Sequence, residues 1–196
     1  MPPAEAIQQY LTGAWQLMMG RPDGLGRLDL SVDGFWNSFF AIVVALPALT
    51  VGWVSVANQL GGEAFSERLS VVVRLAMIDL LTWVVPIAAL AAVARPLGIA
   101  KRFVPYVVAS NWGSALFVWM MLPPAVIDLV IPGAQEATAA LSIVIFLATL
   151  ALSWRLTNAA LGLGAATATW VFAGMFGFSL ALLLMLQPLF GLAPSA

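Results

Sequence analysis

Apolar positions along the chain form one short periodic stretch and then five long, nearly unbroken runs. In residues 3–19, PAEAIQQYLTGAWQLMM, Ile7, Leu11, Trp15 and Met18 recur at helical spacing, while Glu5, Gln8, Gln9, Thr12 and Gln16 fall on the other side. This pattern predicts an amphipathic helix of about four turns, too short and too polar to span a bilayer. Its polar face lacks the Lys and Arg of a binder of anionic lipid. A helix tucked against a bundle at the membrane interface and a helix that docks a partner both fit. The stretch GRPDGLGRLDLSVDG then breaks the periodicity with Gly and Pro.

The five apolar runs cover 34–57, 70–93, 103–122, 137–155 and 167–189. Each approaches the ~20 residues a helix needs to cross ~30 Å of hydrocarbon. The expected fold is therefore an all-α, polytopic membrane helix bundle with five transmembrane helices and an N-terminal interfacial helix. Residues 1–33 form the interfacial helix and loop, 34–190 the five-span domain and 191–196 a short tail. Trp36, Trp53, Trp119, Trp154 and Trp170 fall near run ends, as an aromatic belt would, whereas Trp83 and Trp112 lie near mid-span. Pro47, Pro86 and Pro105 are expected to kink their helices.

Basic residues set the orientation. With five spans, Arg21, Arg27, Arg95, Lys101, Arg102 and Arg155 share one side, against Arg68 and Arg74 on the other. That bias predicts a cytoplasmic N-terminus and an outward C-terminus in a bacterial inner (cytoplasmic) membrane. No Lys or Arg occurs in the first twenty residues and no small-residue cleavage site follows an apolar run, so no cleaved signal peptide is expected.

Composition narrows the chemistry. Of 196 residues 62% are hydrophobic and 9% charged, against about a quarter charged in a soluble domain. The net charge of −1 argues against an electrostatic nucleic-acid binder. Cys and His are both absent, which removes disulfides, thiolate metal sites, a cysteine nucleophile and the commonest proton shuttle. A membrane serine protease would lack its base, and an intramembrane aspartyl protease its second carboxylate at depth. No HExxH, P-loop or dinucleotide-binding glycine motif is present, and Gly162-Leu163-Gly164 has no phosphate-binding context. No enzymatic activity, cofactor or metal is expected.

Asp79 is the acidic residue deep within a run, about 15 Å from its start at 1.5 Å per residue. A carboxylate there costs several kcal/mol unless it is neutral or partnered, on the order of 2–4 by insertion scales. Arg74 lies five residues away, about 140° around the helix, so it points elsewhere, toward water or Glu67. Asn111, in SNWGS, falls at nearly the same depth counted from Arg102. A cluster of Asp79, Thr82, Asn111 and Ser114 would satisfy its own donors and acceptors if the second and third spans, joined by a short connection, are neighbours. Such a cluster serves either as interhelical glue or as a proton- or ligand-binding site. In the fifth span Ala165, Thr169, Ala173, Gly177 and Ala181 put a small residue at every fourth position. That stripe fits an internal packing seam, with a dimer interface as the alternative.

Arg95-PLGIAKRFVPYVVASNWG-Ser114 is similar to the short basic loop and Tyr- and Pro-containing third span of the bacterial branch of the Yip (Ypt-interacting protein) membrane family. Trp154-RLTNAALGLGAAT-Ala168 resembles that family's Gly-rich connection between the last two spans, and DGFWNSFFA its entry into the first. The resemblance covers about residues 30–190 and implies the five-span layout. It carries over no catalytic residue, and the acidic cytoplasmic motif of the eukaryotic members is absent. The leading functional expectation is a non-enzymatic scaffold or accessory subunit, with the lipid bilayer and a membrane protein or a second copy of itself as partners. The alternative is a small transporter or permeation protein with its polar centre at Asp79 and Asn111. A lipid-handling role is a third, supported only by the interfacial helix and the aromatic residues.

Overall fold

The computed structural model describes residues 1–131, 133 and 135–192. Among these there is no strand, and five helical segments are long and apolar enough to cross a membrane. Helix α1 spans Ala4–Met18, α2 Val32–Ser38, α3 Phe40–Leu60, α4 Phe65–Val93, α5 Phe103–Met120, α6 Leu122–Val130, α7 Gln135–Leu161 and α8 Ala165–Leu189. The spans are α2–α3, α4, α5–α6, α7 and α8. They extend past the apolar runs at one or both ends. Of the expected tail, residues 193–196 lie outside the described residues.

Local chemistry explains the breaks. Ser31 caps α2, accepting a 3.0 Å bond from the Gly34 amide. Pro123 and Pro124 open α6, where a missing amide hydrogen costs nothing. Pro105 lies in the first turn of α5 for the same reason, so it does not interrupt the helix as expected. Pro47 and Pro86 do lie inside continuous helices. The turn between α7 and α8 is three residues long, with Gly162 and Gly164 at φ +61° and +92°, a backbone open chiefly to glycine.

The spans form a closed ring in which each packs along two others: α3 against α4, α4 against α8, α8 against α7, α7 against α5, and α5 back against α3. Helix α6 lies against α3 and α7. Chain neighbours α4 and α5 are thus not packed along each other, contrary to the sequence expectation. The nine-residue connection, 94–102, leaves room for them to stand apart with α3 on one side.

Two buried apolar clusters lie toward the end of the bundle that carries the N-terminus. One joins Leu17, Met18, Ala41, Ala45, Trp112 and Leu156, and the other Ile87, Leu90, Ile99, Tyr106, Leu161 and Val171. Helix α1 packs against α5 and α7 in the first of these. Its buried face is Gly13, Ala14, Leu17 and Met18, with the Tyr10 ring 5.2 Å from that of Trp112 and tilted 41° to it. The expected stripe is corrected here: Trp15 is 44% exposed, and Leu17, a neighbour of the expected Met18, takes its place in the core. Arg155 of α7 donates a 2.6 Å bond to the Met19 carbonyl and holds the C-terminal end of α1.

Candidate functional site

A cavity of about 390 Å³ sits inside the ring, lined by residues of all five spans. Helix α4 contributes Asp79, Thr82, Trp83 and Pro86; α5 contributes Tyr106, Ser110, Asn111 and Ser114. Ser153 and Thr157 come from α7, Phe172, Phe176 and Ser179 from α8, and Leu49 from α3. Ile87 and Tyr106, members of the second apolar cluster, also line it. All four residues of the expected polar cluster therefore line one cavity, but they do not satisfy one another.

Asp79 accepts a 2.7 Å hydrogen bond at Oδ2 from the Trp53 indole of α3. Its Oδ1 has no hydrogen-bond partner among the described residues. Asn111 belongs to a different network. Its Oδ1 accepts a 2.9 Å bond from the Trp83 indole, and its Nδ2 donates at 2.8 Å to Ser38, which in turn donates to the Phe35 carbonyl. Because Ser38 sits where α2 gives way to α3, Asn111 lies at the N-terminal end of the first span. On the α4 side Asn111 is bound at Trp83, four residues after Asp79, so the two residues belong to separate networks on adjacent turns. Thr82 turns its hydroxyl back onto the Ile78 carbonyl at 2.9 Å, one helical turn earlier.

Three of the hydroxyls that line the cavity are unused by the protein. Ser114, Ser153 and Ser179 make no hydrogen bond among the described residues. Pro86 adds a fourth acceptor on the same stretch, since it cannot donate the usual bond to the Thr82 carbonyl one turn before it. A polar group in an apolar medium without a partner costs roughly 1–3 kcal/mol by mutational measures. Free oxygens gathered around one void therefore require a hydrogen-bonding occupant, either water or solute.

Tryptophans read as an aromatic belt act instead as interhelical donors. Trp53 binds Asp79, Trp119 the Val44 carbonyl at 3.0 Å, and Trp154 the Thr169 hydroxyl at 3.0 Å. Trp36 and Trp170 are exposed on the outside, at 67% and 80%. Trp83, noted only as lying mid-span, bridges α4 and α5, which do not run along each other. An indole in mid-span beside a buried amide was the available signal for it, because indole N–H groups seek acceptors when removed from water.

The other candidate positions fall elsewhere. Arg74 donates to the Phe190 carbonyl at 3.1 Å, at the C-terminal end of α8, and not to Glu67. The small-residue stripe is corrected most clearly. Ala165, Thr169, Ala173, Gly177 and Ala181 are all exposed, and a side-chain carbon added at Gly177 would meet nothing within 4 Å. Within one chain the stripe is an outer face, not an internal seam. No family model, curated protein or solved structure matches the chain.

Proposed function

We propose that this five-span membrane protein binds or conducts a small solute through the cavity at the centre of its ring of helices, the transporter or permeation reading. The observation that carries it is the set of free oxygens, Asp79 Oδ1 and the hydroxyls of Ser114, Ser153 and Ser179, facing one void of about 390 Å³. That volume lies in the ordinary range for small-molecule sites, ~300–1,000 Å³. In this reading the chain sits in a bacterial inner membrane with its N-terminus cytoplasmic, supported by the excess of Lys and Arg at that end. The Yip-like layout agrees with five spans and names no solute.

The test is a thermal-stability screen of the protein in lipid nanodiscs against small polar solutes, alongside Ser153→Trp, which fills the cavity. A solute that raises the unfolding temperature of the wild type but not of Ser153→Trp supports the reading. Equal shifts in both proteins contradict it.

The exposed stripe of α8 favours a second reading, the scaffold or accessory subunit. Small residues in register let a partner helix approach closely. Disulfide capture of Gly177→Cys in native membranes would identify a neighbour on this face, and Gly177→Leu should abolish its association.

A further inference from the structure

We infer that the solute taken by this cavity is a monovalent organic cation, an ammonium carried on a small apolar body, with Asp79 as its counter-ion. The inference rests on the binding reading above and narrows it to one ligand class.

Charge in the cavity is of one sign. Asp79 is the acidic residue in its lining, and no Lys or Arg lines it. The nearest basic residue on the same helix, Arg74, is committed to the Phe190 carbonyl at the end of α8. Asp79 lines the cavity and is held by the Trp53 indole through one oxygen, which leaves Oδ1 without a protein donor among the described residues. An indole bond supplies one donor and no positive charge, so an ionised Asp79 has no counter-charge among the residues that line the cavity. A cation in the cavity would supply both the missing charge and the missing donors.

The rest of the lining distinguishes among cations. An inorganic divalent ion needs about six oxygen ligands, usually with two or more carboxylates, and the described residues hold no cluster of three His, Cys, Asp or Glu. The void is also far larger than a single bare ion. Its walls are largely aromatic and aliphatic: Trp83, Phe117, Phe172 and Phe176 stand beside the serine hydroxyls. Aromatic faces attract organic cations and accommodate an apolar body. The unpaired oxygens of Ser114, Ser153 and Ser179 can accept the remaining N–H donors. One carboxylate, several neutral acceptors and aromatic walls match one positive charge on an organic frame.

The chain has no cysteine, so a single Ser114→Cys variant provides a reporter inside the cavity. Three ligands of one shape, phenethylammonium, 2-phenylethanol and phenylacetate, are compared for protection of this thiol against a small water-soluble thiosulfonate reagent, with the protein in nanodiscs. Half-protection by phenethylammonium is expected at a concentration at least tenfold below that of 2-phenylethanol, with phenylacetate protecting least. Adding Asp79→Asn, which keeps an oxygen for the Trp53 indole, should bring the ammonium and the alcohol to the same concentration. Equal protection by alcohol and ammonium in the Asp79 protein, or better protection by phenylacetate, overturns the cation inference while leaving the cavity reading standing. No protection by any of the three at a reactive thiol overturns it also. A thiol that the reagent never reaches overturns the cavity reading itself. The comparison of the three ligands needs no Asp79 variant, so it decides the matter even if Asp79→Asn fails to fold.

Discussion

Trp53 on α3 and Asp79 on α4 are joined by a 2.7 Å hydrogen bond from the indole Nε1 to the carboxylate Oδ2. It is a bond between neighbouring helices of the ring, and it fixes one oxygen of the carboxylate while leaving the other open. The bond therefore positions Asp79 for a ligand as much as it joins two spans.

Removing the donor should cost stability. Trp53→Phe deletes the indole N–H, and unfolding in lipid should become easier by about 1–2 kcal/mol, the scale of an interhelical hydrogen bond plus lost packing. Asp79→Asn should cost less than Asp79→Ala, because its amide oxygen still accepts from Trp53. Unfolding of the three variants in the same bicelles, followed by tryptophan-independent steric trapping, orders them. Equal stability of Trp53→Phe and wild type would show that the bond does not form.

Two networks, not one, should emerge from double-mutant cycles. Trp83→Phe and Asn111→Leu share a 2.9 Å bond and should couple by roughly 0.5–2 kcal/mol. Asp79→Asn and Asn111→Leu share none and should add to within about 0.5 kcal/mol. Strong coupling in the second pair would restore the single cluster that the sequence suggested.

Glycines in different surroundings should respond differently. At Gly113, on α5, a side-chain carbon would lie 2.6 Å from Leu156 Cδ1 and 3.2 Å from Met18 Cε. Gly113→Val should destabilise the fold by about 1–3 kcal/mol, as overpacking does, and loosen α1. Gly177→Ala meets nothing within 4 Å and should leave monomer stability unchanged. Thermal unfolding of both variants, with protease sensitivity near residue 20, separates them.

Helix α1 should be released by one substitution on another helix. Arg155→Met removes the 2.6 Å bond to the Met19 carbonyl. Amide exchange across residues 4–18 should accelerate while that of α5 and α7 stays unchanged. Unchanged exchange in α1 would mean that apolar packing alone holds it.

The five spans were legible because an uninterrupted apolar run of membrane length has few alternatives. The arrangement of those spans was not. The short 94–102 connection suggested that α4 and α5 touch, but a connection limits only the ends of two helices, and α3 and α8 flank α4 instead. Small residues at every fourth position of α8 marked a face and carried no information about which way it turns. Asp79, Thr82, Asn111 and Ser114 were found because amide and carboxylate groups are rare at depth. Ser153, Thr157 and Ser179 were passed over because hydroxyls are common in membrane helices and often bond their own backbone. The tryptophans misled through position: an indole near a run end looks like a belt until its acceptor on the next helix is visible.

Polar solute entering a cavity between the spans should be visible in the reactivity of a single introduced thiol. Ser114→Cys faces the cavity, whereas Val144→Cys on α7 replaces an outward residue that is 64% exposed and flanked by apolar neighbours. Thiosulfonate labelling requires water and thiolate, which lipid denies to the second position. Ser114→Cys should label readily in nanodiscs while Val144→Cys does not. A Ser114→Cys thiol as inert as Val144→Cys would contradict solute entry.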